Sequence, residues 1–115
     1  MRWLIRRVLK KGKGAVSYEE DVHYGDVLTI GRAADQAIFL PDLRVALNHA
    51  RVTQLSSGQY KIESLILAGI RVNDAITYTT TADAGAVVAI GNTRLTLLAA
   101  PQDYDAAIEV STLDK

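Results

Sequence analysis

The sequence holds no cysteine. Disulfides, thiolate nucleophiles and cysteine-based metal sites are therefore excluded, and the absence fits a reducing compartment. Histidine is nearly absent as well, with His23 and His49 alone. The two lie far apart, without His-x-x-x-His spacing, and make a poor metal site. No Gly-x-Ser-x-Gly elbow accompanies them to build a nucleophilic triad. Gly12-Lys13-Gly14 lacks the upstream glycine and the Ser or Thr of a nucleotide-binding loop. The carboxylates Glu19-Glu20, followed by Asp21, read as a solvated loop rather than an acid–base pair. The expectation is a protein that is not an enzyme and needs no cofactor or metal.

Long apolar runs are missing too. None approaches the ~20 residues of a membrane span. Trp3-Leu4-Ile5 is cut short by Arg6 and Arg7, whereas a secretory apolar segment needs about 7–15 residues. A cytoplasmic location is expected, either free or as the cytosolic part of a membrane-associated protein. Thirteen basic residues balance thirteen acidic ones. Without a net charge to steer it, the chain is not expected to bind nucleic acid.

What remains is a sequence of 115 residues, 49% of them hydrophobic, enough for one compact domain with a core. Its apolar residues come in short runs rich in Val, Ile, Thr and Tyr. Val27-Leu28-Thr29-Ile30, Ala37-Ile38-Phe39-Leu40, Tyr60-Lys61-Ile62-Glu63, Ala75 to Thr79, Val87-Val88-Ala89-Ile90 and Arg94-Leu95-Thr96-Leu97 are examples. They recur about every 8–12 residues, the pattern of an antiparallel β-sandwich. Gly58, Asn73 and Gly91 supply turns, and Gly91-Asn92 between two runs predicts a tight hairpin. The best helix candidate is Tyr104 to Val110, within an acidic stretch that otherwise reads as a tail or linker over residues 103–115.

Ile30-Gly31-Arg32 places a guanidinium just after a strand, where its planar fork can clasp an oxyanion. Taken alone, such an Arg is more often simply solvated or paired, here with Asp35. Further along stand His49-Ala50-Arg51-Val52, Tyr60-Lys61-Ile62-Glu63-Ser64-Leu65, Gly69-Ile70-Arg71-Val72-Asn73-Asp74 and Ala89-Ile90-Gly91-Asn92-Thr93-Arg94. In order and spacing these pieces resemble the forkhead-associated (FHA) domain from about Trp3 to Ala100. The resemblance implies an all-β, two-sheet antiparallel sandwich of about eleven short strands over residues 1–102. It also implies a protein–protein interaction and signalling module that binds phosphothreonine peptides through loops at one end.

The resemblance assigns Arg32 to the phosphate. It makes Gly31, His49 and Asn73 structural supports of the loops. The family's Ser, three residues before the His, is Ala46 here, and the next position is Leu47. Where a later loop carries a hydroxyl residue and then Asn, this chain has Leu67 and Ala68. Hydrogen bonds to charged groups contribute ~1.5–3 kcal/mol each, so these losses are expected to cost ~4–6 kcal/mol, or roughly 10³–10⁴ in affinity. Ala46, Leu47, Ile66, Leu67 and Ala68 would instead form an apolar docking end for a second copy or another protein. The competing expectation is that Leu47 and Ile66 tuck beneath the loops as extra core. Two other readings of the chain stay open: a working phosphothreonine binder helped by Arg44 or Arg51, and a cytosolic assembly domain of a larger membrane or secretion-apparatus protein.

The start of the chain carries Arg2, Arg6, Arg7, Lys10, Lys11 and Lys13 without an acid. Because the family opens with a strand, Trp3, Ile5 and Leu9 are expected to face the core, with Arg6 and Lys10 outside. A helix would turn Leu4, Ile5, Val8 and Leu9 toward a membrane. The basic residues allow weak contact with an anionic membrane in either case.

Overall fold

A computed structural model describes residues 1–11, 15–56 and 58–112. The described residues form twelve strands in order: β1 Arg2–Lys11, β2 Ala15–Tyr24, β3 Val27–Gly31, β4 Ile38–Phe39, β5 Ala50–Ser56, β6 Gln59–Ser64, β7 Ile70–Val72, β8 Ala75–Thr77, β9 Thr79–Asp83, β10 Val87–Ile90, β11 Thr93–Leu98 and β12 Ala106–Thr112. They build a seven-stranded sheet, β2-β1-β12-β11-β10-β7-β8, and a five-stranded sheet, β4-β3-β5-β6-β9.

The period-two pattern determines the core. Leu28 and Ile30, Tyr60 and Ile62, Val88 and Ile90, and Leu95 and Leu97 are buried, while polar or small residues between them turn outward. Tyr60 bolts the two sheets together. From β6 its hydroxyl donates to the Leu98 carbonyl at 2.6 Å and accepts the Ala107 amide at 3.1 Å. Its ring lies 6.0 Å from that of Trp3. Such a tyrosine contributes apolar area along its body while its polar tip stays satisfied.

Several expectations change. The sheets are mixed, because β1 runs parallel to β12 and β3 parallel to β4. Tyr104–Val110 is not a helix, and residues 106–112 are not a linker. They form β12, inserted between β1 and β11. Ala106, Ile108 and Val110 alternate toward the core, and β-branched residues suit a pleated strand better than a helix. Leu9 is exposed rather than buried: it lies beyond Arg7, where the pairing of β1 with β12 has ended, and it does not join the core that takes in Trp3 and Ile5. Glu19, Glu20 and Asp21 stand on β2, not in a loop. The run Ala75 to Thr79 splits at Tyr78, its first half closing one sheet edge and its second half beginning the edge of the other.

The basic first strand runs beside the acidic stretch of β2. Arg6 and Arg7 lie opposite Glu20 and Glu19. Arg6 also pairs with Glu109 at 2.9 Å and stacks on the Tyr18 ring at 5.1 Å, and Arg2 covers the Tyr104 ring at 4.6 Å. Lys13 and the side chains of Lys10 and Lys11 fall outside the described residues.

Candidate functional site

Strands β3, β5, β6, β7, β10 and β11 bring four connections to one end of the sandwich: residues 32–37, 40–49, 65–69 and 91–92. Gly31 sits at the hinge of this end. A Cβ added there would lie 2.2 Å from the Leu47 carbonyl oxygen, so only glycine lets the β4–β5 loop approach β3 so closely. The approach is fastened by backbone bonds. The amides of Arg32 and Ala33 donate to the carbonyls of Ala46 and Leu47 at 2.9 and 3.2 Å.

His49 holds the loop from within. It is 6% exposed, and its Nδ1 accepts the Ala46 amide at 3.0 Å. Its own amide donates to the Ile30 carbonyl, and its carbonyl accepts the Leu65 amide, both at 2.9 Å. Burial pushes the imidazole pKa down, keeping the neutral form that can accept at Nδ1. One histidine thus ties together β3, the β4–β5 loop and the β6–β7 loop.

Arg32 is half-buried and directs its Nε–H to the Val45 carbonyl at 3.0 Å. It does not pair with Asp35, which accepts a hydrogen bond from Gln36 at 3.3 Å. The residues around this end are apolar at their tips: Leu47 is 51% exposed and Leu67 is 96% exposed. Ala68 is exposed, while Ala46 and Ile66 are partly covered. Of the two residues expected as extra core, Leu47 is exposed and Ile66 is only partly covered. Beside them, a cavity of about 300 Å³ is lined by His49, Ile66, Ala68, Ile70, Ile76 and Ile90, among others. Asn73 is separate from this group. It forms the β7–β8 turn at the far end of β7, with positive φ at Asn73 and Asp74, and exchanges hydrogen bonds with Val87.

The two other candidate cations are spent on carboxylates. Arg44 forms a two-point pair with Asp42, with bonds of 3.0 and 2.9 Å. Arg51 pairs with Glu63 through two contacts of 3.1 Å across β5 and β6. Asp42 does more, since its Oδ1 accepts the Arg44 amide and its Oδ2 accepts the Asn92 amide at 3.3 Å. It thereby joins the β4–β5 loop to the β10–β11 hairpin. These hydrogen bonds, that to the Arg44 guanidinium foremost, hold the Asp42 carboxyl down at about 2. Sequence reasoning overlooked this latch. Its one readable sign is an Asp after Pro41 and two residues before Arg44, the spacing at which an aspartate side chain caps its own turn.

The family model for the FHA domain matches residues 28–91, more than half of the chain. No curated protein matches it by sequence. Among solved structures, the FHA domain of the CT664 protein from Chlamydia trachomatis is 25% identical with a TM-score of 0.64, over 88% of this chain and all of that one. The FHA-2 domain of the Mycobacterium tuberculosis ABC transporter Rv1747 is 26% identical with a TM-score of 0.57, over 87% of this chain and 84% of that one. A structure from a study of phosphothreonine-dependent FHA domain interactions has a TM-score of 0.61 at 21% identity, over 84% of this chain and 95% of that one. The matched stretch begins at Leu28 in β3, ends at Gly91 in the hairpin and contains Gly31, Arg32 and His49 in the positions just described; the chain belongs to the FHA domain family.

Proposed function

We propose that this FHA domain is a protein-interaction module that meets its partner through an apolar loop surface, with phosphothreonine recognition lost or strongly weakened. The observation that carries this reading is the setting of Arg32. Its Nε–H is committed to Val45, and the positions that would supply a hydroxyl and an amide to a phosphate are Ala46, Leu67 and Ala68. A phosphate dianion leaving water there gains too few donors to replace its hydration. Leu47 and Leu67 offer hydrocarbon instead, and exposed apolar groups gathered at one end of a domain favour a protein contact.

The phosphothreonine-binding alternative gains little from Arg44 or Arg51, since each would have to leave a two-point carboxylate pair. The likeness to a domain of an ABC transporter supports a third role, as a cytosolic assembly part of a membrane protein. Fractionation of native cells into membrane and soluble pools tests that role directly.

Titration of matched phosphothreonine and unphosphorylated peptide libraries tests the main reading. The expected result is that phosphorylation changes affinity by less than about tenfold, or ~1.4 kcal/mol. Strong phosphate-dependent binding that disappears in Arg32→Ala would restore the phosphothreonine reading.

A further inference from the structure

Away from Leu47 and Leu67, on the other side of the β4–β5 loop, the chain has a second and larger cavity. It measures about 510 Å³ and lies beside β4, the edge of the five-stranded sheet, where β1 at Arg7 and the end of β12 at Thr112 are left uncovered. Its floor includes Arg7, Thr93, Val110 and Thr112, and its wall is formed by Phe39 and the loop from Leu40 to Arg44.

Three features give this cavity a chemistry. First, Arg7 stands on the same side of β1 as Trp3 and Ile5, so the strand's alternation carries a cation into the gap between the sheets. No carboxylate binds it among the described residues. Glu19 lies opposite on β2 without forming an ion pair, and the acid in the wall, Asp42, is engaged by Arg44. Second, Thr93 lines the cavity and brings to it a hydroxyl that can donate and accept a hydrogen bond. Third, the wall is apolar and open, with Phe39 41% exposed and Leu43 89% exposed.

We propose that this cleft is a second binding site, for a partner-protein segment carrying an Asp or Glu beside a large apolar residue. The carboxylate sits with Arg7 and the Thr93 hydroxyl, and the apolar side chain fills the space between Phe39 and Leu43 above Val110. The charge argues for this occupant over a second copy of the chain. Among the lining residues Asp42 and Arg44 cancel, so Arg7 leaves the cleft positive and calls for an acidic guest. The volume holds a few side chains and suits an extended segment better than a folded face. The site does not depend on how Arg32 is used.

The test uses the whole chain and fluorescent nonapeptides centred on Asp-Leu or Glu-Phe, with Lys-Leu and Asp-Ser peptides as controls. Fluorescence anisotropy is expected to show the acidic–apolar peptides binding at least tenfold more tightly than either control. NMR shifts are expected at Phe39, Leu43, Thr93 and Thr112. Leu43→Ser changes an exposed side chain and leaves the fold intact, and together with Arg7→Glu it is expected to weaken binding at least tenfold. Arg32→Ala is expected to leave binding unchanged. Equal binding of the controls, shifts confined to Leu47 and Leu67, or a dimer in light scattering that Leu43→Ser dissolves would overturn the proposal.

Discussion

The Ala46 amide donates to Nδ1 of His49 across three residues, at 3.0 Å. This bond requires an unprotonated nitrogen, and burial already lowers the imidazole pKa below its ordinary 6.5. The folded state therefore binds the proton less readily than the unfolded one. Stability is full above the unfolded value of 6.5 and is lost as pH falls below it, until the folded value is reached. The thermal midpoint of the wild type should drop on acidification from neutral pH, and His49→Gln should flatten that slope. At pH 7 the same substitution should cost about 1–2 kcal/mol in urea denaturation through the lost bond.

Asp42 predicts a separate acid limb. Its carboxyl sits at about 2, against an ordinary 3.8, because Arg44 and Asn92 hydrogen-bond its ionised form. The latch is present above 3.8 and is lost as pH falls toward 2, well below the histidine step. Asp42→Asn should remove this limb and leave the step near neutrality in place. Hydrogen exchange at the Asn92 amide, which donates to Asp42, should accelerate in the variant at pH 7.

Gly31 is held by proximity to backbone, not by an unusual dihedral. Its added Cβ would meet the Leu47 carbonyl oxygen at 2.2 Å, and a backbone atom tied to the Ala33 amide cannot swing aside like a side chain. Gly31→Ala should destabilise the domain by about 1–3 kcal/mol as β3 and the loop are forced apart. Chemical shifts should move most at Arg32, Ala46 and Leu47. An unchanged urea midpoint would show that the loop can retreat at no cost.

The fold was legible in the sequence where one sheet face is buried and the other solvated, because alternation then reports the strand directly. Tyr60-Lys61-Ile62-Glu63 and Leu95-Thr96-Leu97 are of this kind. It was least legible at β12. There Ala106, Ala107 and Ile108 are all buried, so alternation is confined to the short run Ile108 to Ser111, and the flanking acids imitate a solvated tail. Leu9 was misread for a different reason: alternation tells which side a residue faces, not whether another sheet stands there. At the loop end, Arg32 and His49 were visible through the spacing of the motif. The Asp42 latch and the cleft at Arg7 were not, because they join β4, β11 and β12, elements far apart in the chain.

Cutting the chain after Gln102 removes the whole of β12 and should abolish folding rather than trim an end. β12 lies between β1 and β11, so its loss breaks two ladders and leaves β1 and β2 detached from the rest of the seven-stranded sheet. Ile108 and Val110 are buried, at ~1.5–3 kcal/mol each, and Ala106 and Ala107 are wholly covered as well. The Ala107 amide also satisfies the Tyr60 hydroxyl in the centre of the sandwich. Those losses rival the ~5–15 kcal/mol that hold a typical domain together. The 1–102 fragment should show collapsed amide dispersion and no cooperative thermal transition, whereas a fragment ending at Thr112 should melt like the full chain. A cooperative 1–102 fragment with native shifts at Tyr60 would mean that the core forms without β12.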